Sequence, residues 1–290
     1  MNELAGSVWT HWHGHPDAIL GLALIEGAYL LGVGPLRERY NLADDVEPRQ
    51  IANFTAGILV IFIALSSPIH VLSDNYLFSA HMLQHVLLTL VAPPLLILGT
   101  PEWLLRPLLR PNLSFWVARI ATHPVAAFAL FNVVFSMWHV PALYETSVNH
   151  HTIHVAEHLV FIGTALLMWW PIASNMPELP RISHPMQMAY LFSLSVAQII
   201  VFATITFARE PLYEFYANAP RISALSPLVD QQLGAIIMKI GGGALFMTLF
   251  IIVFFRWFGQ EESRREAEEP RRQRYDLRGP DGPALEESPR

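Results

Sequence analysis

Two stretches of this chain carry histidines at a spacing that could hold a metal. HMLQH occupies residues 81–85, and HHTIHVAEH occupies residues 150–158. In an α-helix, residues four apart lie about 40° apart around the axis, on one face. His81 and His85 form one such pair, and His154 and His158 form another. Two neighbouring helices would offer four imidazoles to a common point, which satisfies a four-coordinate metal without any loop. His139, which ends FSMWH, is a fifth candidate ligand. Glu145 and Glu157 are carboxylates within reach, either as ligands or as groups that fix an imidazole tautomer. Met82 and Met137 are soft donors at the same level, although Met82 points about 100° away from His81. Imidazole suits copper, zinc, iron and nickel, and thioether tilts the choice towards Cu(I). A bis-histidine haem needs one imidazole from each helix and would leave the doubled pairs unexplained.

The elements that must position these residues are apolar and long. The 290-residue chain is 53 % hydrophobic and 14 % charged, against about 25 % charged in an ordinary soluble domain. A bilayer-spanning helix needs about 20 mostly apolar residues. Seven segments qualify: 17–36, 51–72, 78–98, 123–141, 152–172, 186–207 and 233–256. The fold class is therefore all-α, a polytopic membrane bundle of about seven transmembrane helices. PEWLLRPLLRPNLSFWVARIA (101–121) mixes Trp, Leu and Arg and reads as an interfacial segment. Residues 1–258 form the membrane domain, and 259–290 read as a disordered charged tail, too poor in apolar residues to offset the entropy of ordering. No basic region opens the chain, so no cleaved signal peptide is expected.

Arginines set the expected orientation. Fifteen lie in the 37–50, 101–122 and 173–185 loops and after the last span, while only Arg209 and Arg221 lie on the other side. The positive-inside rule then puts the N-terminus outside and the C-terminus in the cytoplasm. Eleven of the 13 histidines fall at the outer face on this topology, drawn from distant parts of the chain. His11, His13, His15 and His70 read singly as amphipathic anchors. His123 and His184 each precede a proline on the cytoplasmic side and read as capping or interfacial residues. Ionisable groups inside spans are costly and usually functional, which sets His81, His85, His139, His154 and His158 apart.

Other features have structural readings. Glu26 and Lys239, inside the first and last spans, could form an ion pair. Gly241, Gly242 and Gly243 would let helices pack closely. Pro93 and Pro94 should kink the third span. Trp103, Trp116, Trp169, Trp170 and Trp257 read as interfacial anchors. There is no cysteine, so disulfide and thiolate chemistry are excluded.

The segments HMLQHVLLTLVAPPLLILGTP, FSMWHVPALYE and HTIHVAEHLVFIGTALLMWWPI resemble, in combination, the multi-span CtaG family of cytochrome c oxidase assembly proteins. The resemblance covers roughly residues 10 to 258. It implies a non-enzymatic role in assembling cytochrome oxidase at the bacterial plasma (inner) membrane, with copper delivery as the suspected chemistry. Its metal residues carry over to His81, His85, His139, His154 and His158. The implied partners are cytochrome c oxidase subunits, other copper chaperones and the lipid bilayer, with no nucleic acid. Zinc, iron and haem stay open as alternatives to copper. A membrane metalloenzyme with iron at the cluster, acting on a lipid or haem-like substrate, is the alternative function.

Overall fold

The computed structural model describes residue 12 and residues 16–278, with backbone alone from residue 270. His11, His13, His15 and the last twelve residues lie outside this range. Among the described residues all regular structure is helical. Six helical stretches are long and apolar enough to cross a membrane: Pro16–Tyr40, Pro48–Ser66, Phe78–Gly99, His151–Ala173, His184–Thr206 and Pro227–Glu269. A bent pair, Asn112–Ala121 and Pro124–Trp138, makes a seventh if counted as one. The seven apolar segments of the sequence thus each correspond to a helix or a bent pair.

In chain order, α1 is Pro16–Leu31 and runs through a π turn at Gly32–Leu36 into α2, Arg37–Tyr40. The second span is α3, Pro48–Ser66. It stops short of the 51–72 expected from hydropathy because Pro68 cannot supply the next backbone N–H. Ser67 instead caps a separate helix, α4 (Pro68–Asn75), its hydroxyl accepting from the Ile69 amide at 3.2 Å. The third span is α5, Phe78–Val86, then a π turn at Leu87–Val91, then α6, Ala92–Gly99. The π turn lies just ahead of Pro93 and Pro94, where the sequence leads one to expect a kink.

Two short helices follow, α7 (Glu102–Leu109) and α8 (Asn112–Ala121). A 70° bend separates α8 from α9, Pro124–Trp138, in keeping with an interfacial segment feeding a span. His123 is the N-cap residue of α9, but its side chain makes no capping bond. Next come α10 (Pro141–Asn149), α11 (His151–Ala173), α12 (His184–Ala197), α13 (Ile199–Thr206), α14 (Glu214–Asn218) and α15 (Pro227–Arg278). The last helix does not stop near residue 258. It runs on to Arg278, its charged stretch carrying Arg264–Glu268 and Arg265–Glu261 pairs at i,i+4, a spacing that supports exposed helix.

Close backbone packing fixes the bundle at two glycines. A Cβ on Gly99 would stand 2.3 Å from the Phe54 backbone nitrogen, so α6 and α3 touch main chain to main chain. A Cβ on Gly234 would stand 2.5 Å from the Phe78 ring, so α15 lies directly against the start of α5. Of the Gly241–Gly243 run, Gly241 and Gly242 face Val86 and Leu90 of the third span, and Gly243 faces nothing within 4 Å. Trp169 is no interfacial anchor: it is 1 % exposed and its indole N–H donates to the Thr89 carbonyl in the π turn at 2.9 Å. Glu26 and Lys239 do not pair. Thr55 donates to Glu26 at 2.7 Å, while Lys239 donates to the Ser195 carbonyl at 2.6 Å. Their partners lie on α3 and α12 respectively, each on the helix next to its own.

Candidate metal centre

The helix ends that meet at one face of the bundle come from four spans. α5 begins there, α9 ends there, α11 begins there, and α4 caps the end of the second span. Asp230 of α15 holds the first turn of α5. Its carboxylate accepts from the Phe78 amide at 2.8 Å, the Ser79 amide at 3.3 Å and the Ser79 hydroxyl. Leu77, the N-cap position, makes no side-chain capping bond, so Asp230 supplies from another helix what the local sequence lacks.

This start places His81 and His85 one turn apart on α5, facing His154 and His158 one turn apart on α11. The ring centroids of His81 and His85 are 4.3 Å apart, those of His154 and His158 4.4 Å, those of His81 and His154 5.5 Å, and those of His85 and His158 5.6 Å. Ligating atoms of His81, His85 and His158 lie within 4.8 Å of one another, and so do those of Asp74, His81 and His154. All four histidines are buried. The paired spacing thus brings the rings together, as two three-donor groups sharing His81 and not as a single tetrad. His139 stands at the edge, its ring centroid 6.5 Å from that of His85.

Hydrogen bonds decide which nitrogens face inward. Tyr216 donates its hydroxyl to the Ser73 carbonyl at 2.6 Å, and Tyr144 donates to the Tyr216 oxygen at 3.2 Å. Burial raises both phenols well above their ordinary range, so both keep their protons. The His81 Nδ1, 3.2 Å from the Tyr216 oxygen, must then be the donor, which leaves the Nε2 lone pair for the cluster. His139 is fixed in the same way: its Nδ1 lies 2.7 Å from the Phe135 carbonyl, which can only accept. His70 plays another part. Gln84 donates to its Nδ1 at 3.0 Å and to the Ala64 carbonyl at 2.9 Å. The other ring nitrogen of His70 stands 3.3 Å from Asp74, so His70 orients that carboxylate. Glu157 is fully buried, accepts from the Ser147 hydroxyl, and directs its second oxygen at His85 Nε2 from 3.7 Å.

Buried polar atoms are nearly always partnered. Here His81 Nε2, both nitrogens of His85, His139 Nε2, His158 Nε2 and Glu157 Oε1 are buried without a hydrogen bond among the described residues. Convergent imidazole lone pairs cannot satisfy one another, and a cation satisfies several together. The donor set therefore fits a metal ion.

The sequence profile of the cytochrome c oxidase caa3 assembly factor family (Caa3_CtaG) matches residues 27–260. The chain belongs to this family. Relatives of this Caa3_CtaG protein include uncharacterized protein Mb0105 of Mycobacterium bovis and uncharacterized protein MT0111 of Mycobacterium tuberculosis. Each is 27 % identical over 238 residues, covering 75 % of this chain and 35 % of the relative. Uncharacterized protein ML1998 of Mycobacterium leprae is 24 % identical over 267 residues, covering 84 % of this chain and 39 % of the relative. The chain thus spans little more than a third of the length of these curated relatives. No solved structure matches it.

Several residues of this Caa3_CtaG centre escape a reading of the sequence. Asp74 is the main one, although His70 and Asp74 share the i,i+4 spacing of the histidine pairs. Tyr216 sits in the connection between the last two spans, and nothing in its spacing marks it. The methionine donors are not at the cluster. Met82 is buried in the hydrophobic core beside Gly234, and Met137 is 47 % exposed. Glu145 accepts from the Phe215 amide at 3.2 Å and so docks α14. An apolar groove of about 730 Å³ also runs along one face of α11, from His154 and His158 past Ile162 and Leu166 to Trp170.

Proposed function

We propose that this assembly factor holds copper at its histidine cluster and helps deliver it to cytochrome c oxidase at the bacterial plasma membrane. One observation carries the reading: imidazoles of two neighbouring spans turn buried, unpartnered nitrogens towards a common point. Imidazole is a good copper ligand, and a cysteine-free site suits an oxidising compartment. The cluster faces outward on the arginine distribution. The metal residues are His81, His85, His154 and His158, with His139 alongside and Asp74 added by the geometry. The copper is cargo, bound and passed on, and oxidase subunits and other copper chaperones are the partners this role requires.

A second reading, an iron-dependent membrane enzyme acting on a lipid or haem-like substrate, has one observation in its favour. Two imidazoles and one carboxylate form an iron-type donor set, and His154 belongs both to that set and to the apolar groove. Replacing His81 and His85 together by Ala separates the two. Oxidase activity in the native host should fall with the protein still in the membrane, and excess copper should partly restore it. Failure of copper rescue together with altered lipid or haem composition would favour the enzyme. Normal oxidase activity at a normal protein level would refute the assembly role of these residues.

A further inference from the structure

The two overlapping donor groups differ in access, in chemistry and in depth. Asp74, at 30 % side-chain exposure, lines a polar cavity of about 470 Å³ together with Asn75, Asn149, His151 and His154. Asn75, Asn149 and His151 are exposed, so this cavity meets the surrounding solution. His85 and His158 do not line that polar cavity: His85 and His81 are closed off at 4 % and 0 % exposure, and His158, at 6 %, borders the apolar groove instead. His81 belongs to both groups but has one nitrogen to give, because its Nδ1 is engaged with Tyr216. One imidazole nitrogen cannot serve two ions at once.

We infer that the centre is a two-station site for a single metal ion: an outer station of Asp74, His81 and His154, and an inner station of His81, His85 and His158. The proposal rests on the metal-holding reading above and deepens it. A hydrated cation meets Asp74 first, whose carboxylate is held by His70, itself held by Gln84. The ion then exchanges ligands. Asp74 and His154 leave, His85 and His158 arrive, and His81 stays bound throughout. Two positions bonded in turn to the same His81 nitrogen, each at about 2 Å, lie no more than about 4 Å apart, so the ion moves by about 4 Å at most. Its charge does not change. The carboxyl group it leaves has a counterpart in Glu157, 3.7 Å from His85, so a carboxyl group stands near the ion at both ends of the step.

The test loads the full chain, purified in detergent, with Cu(II) alone. The wild type should take up one Cu(II) per chain. Asp74→Asn keeps the shape of the side chain and the inner station, so it should also reach one Cu(II) at saturation, with an all-nitrogen electron paramagnetic resonance spectrum, but load about tenfold more slowly. His85→Ala should hold its Cu(II) at the outer station, with mixed oxygen and nitrogen donors, and lose it to a chelator about tenfold faster, because the inner station has lost one of its three imidazole ligands and the ion is left at the solvent-facing station. If Asp74→Asn fails to run as a single species on size exclusion, His154→Gln removes the same station and carries the same expectation. Asp74→Asn loading at the wild-type rate, or two Cu(II) per wild-type chain, would overturn the two stations and leave the metal-holding reading standing. A wild type that takes up no Cu(II) would overturn both.

Discussion

Tyr216→Phe isolates the role of a single oxygen. The phenol ring stays and keeps its packing against Phe78 and Phe215. Three hydrogen bonds go, those with the Ser73 carbonyl, the Tyr144 hydroxyl and the His81 Nδ1. All three partners are buried. Each buried group left unpaired costs about 1–3 kcal/mol. Taking the low end, because the neighbouring connection can relax, the apo protein should lose about 3 kcal/mol of stability. Tyr144→Phe removes only the bond between the two phenols and should cost about 1 kcal/mol. The metal readout should separate the pair further. Without the Tyr216 oxygen, His81 has nothing to hold its Nδ1 proton, and its Nε2 lone pair is no longer selected. Loss of such an orienting partner typically costs about 10–100-fold in metal affinity, whereas Tyr144→Phe leaves the His81 contact intact and should change affinity little. Thermal unfolding of the apo protein, followed by near-ultraviolet circular dichroism in detergent, reads the first difference. Chelator competition for Cu(II) reads the second. Equal effects of the two variants on both measurements would refute the argument that Tyr216 sets the His81 tautomer.

Asp230→Ala should destabilise the protein by about 2 kcal/mol, since it uncaps α5 and leaves two buried amides unpaired; an unchanged melting temperature would show that the cap is dispensable. Gly234→Val places a branched side chain where even a Cβ would stand 2.5 Å from Phe78, so it should lower the melting temperature by overpacking, at about 1–3 kcal/mol. Gly243→Ala, open within 4 Å, is the matched control and should be silent. A reporter fused after Arg290 should be active only in its cytoplasmic form, and activity confined to the periplasmic form would reverse the orientation inferred from the arginines.

The spans were legible because hydropathy over about 20 residues is a strong, local signal. The four histidines of α5 and α11 were legible because i,i+4 spacing fixes their shared face before any tertiary structure is known. What lay beyond the sequence was tertiary. Asp74 reaches His154 only because Pro68 ends α3 and starts a new helix that turns His70 and Asp74 towards the cluster. Tyr216 comes from a connection far along the chain, and Asp230 caps a helix 151 residues away. Glu26 and Lys239 share a burial problem but not a neighbourhood, so each found a partner of its own. Trp169 carries the residue type of an interfacial anchor, yet a free carbonyl in the π turn draws it into the core.

That π turn also bears on phase. A wider turn takes up one more residue than the α-helix around it, and each residue of an α-helix advances the face by about 100°. The face that α5 presents to α11 is therefore offset from the face that α6 presents to α3, and a wheel drawn straight through Leu87–Val91 misassigns one or the other. Taking one residue out of this stretch, so that it closed as regular helix, would swing His81 and His85 together by about 100° away from His154 and His158. Every ligand would still be present in the sequence, in order and correctly spaced, and the centre would be gone. In this third span the alignment of a histidine pair counts for little unless the length of the five residues beneath it is also kept.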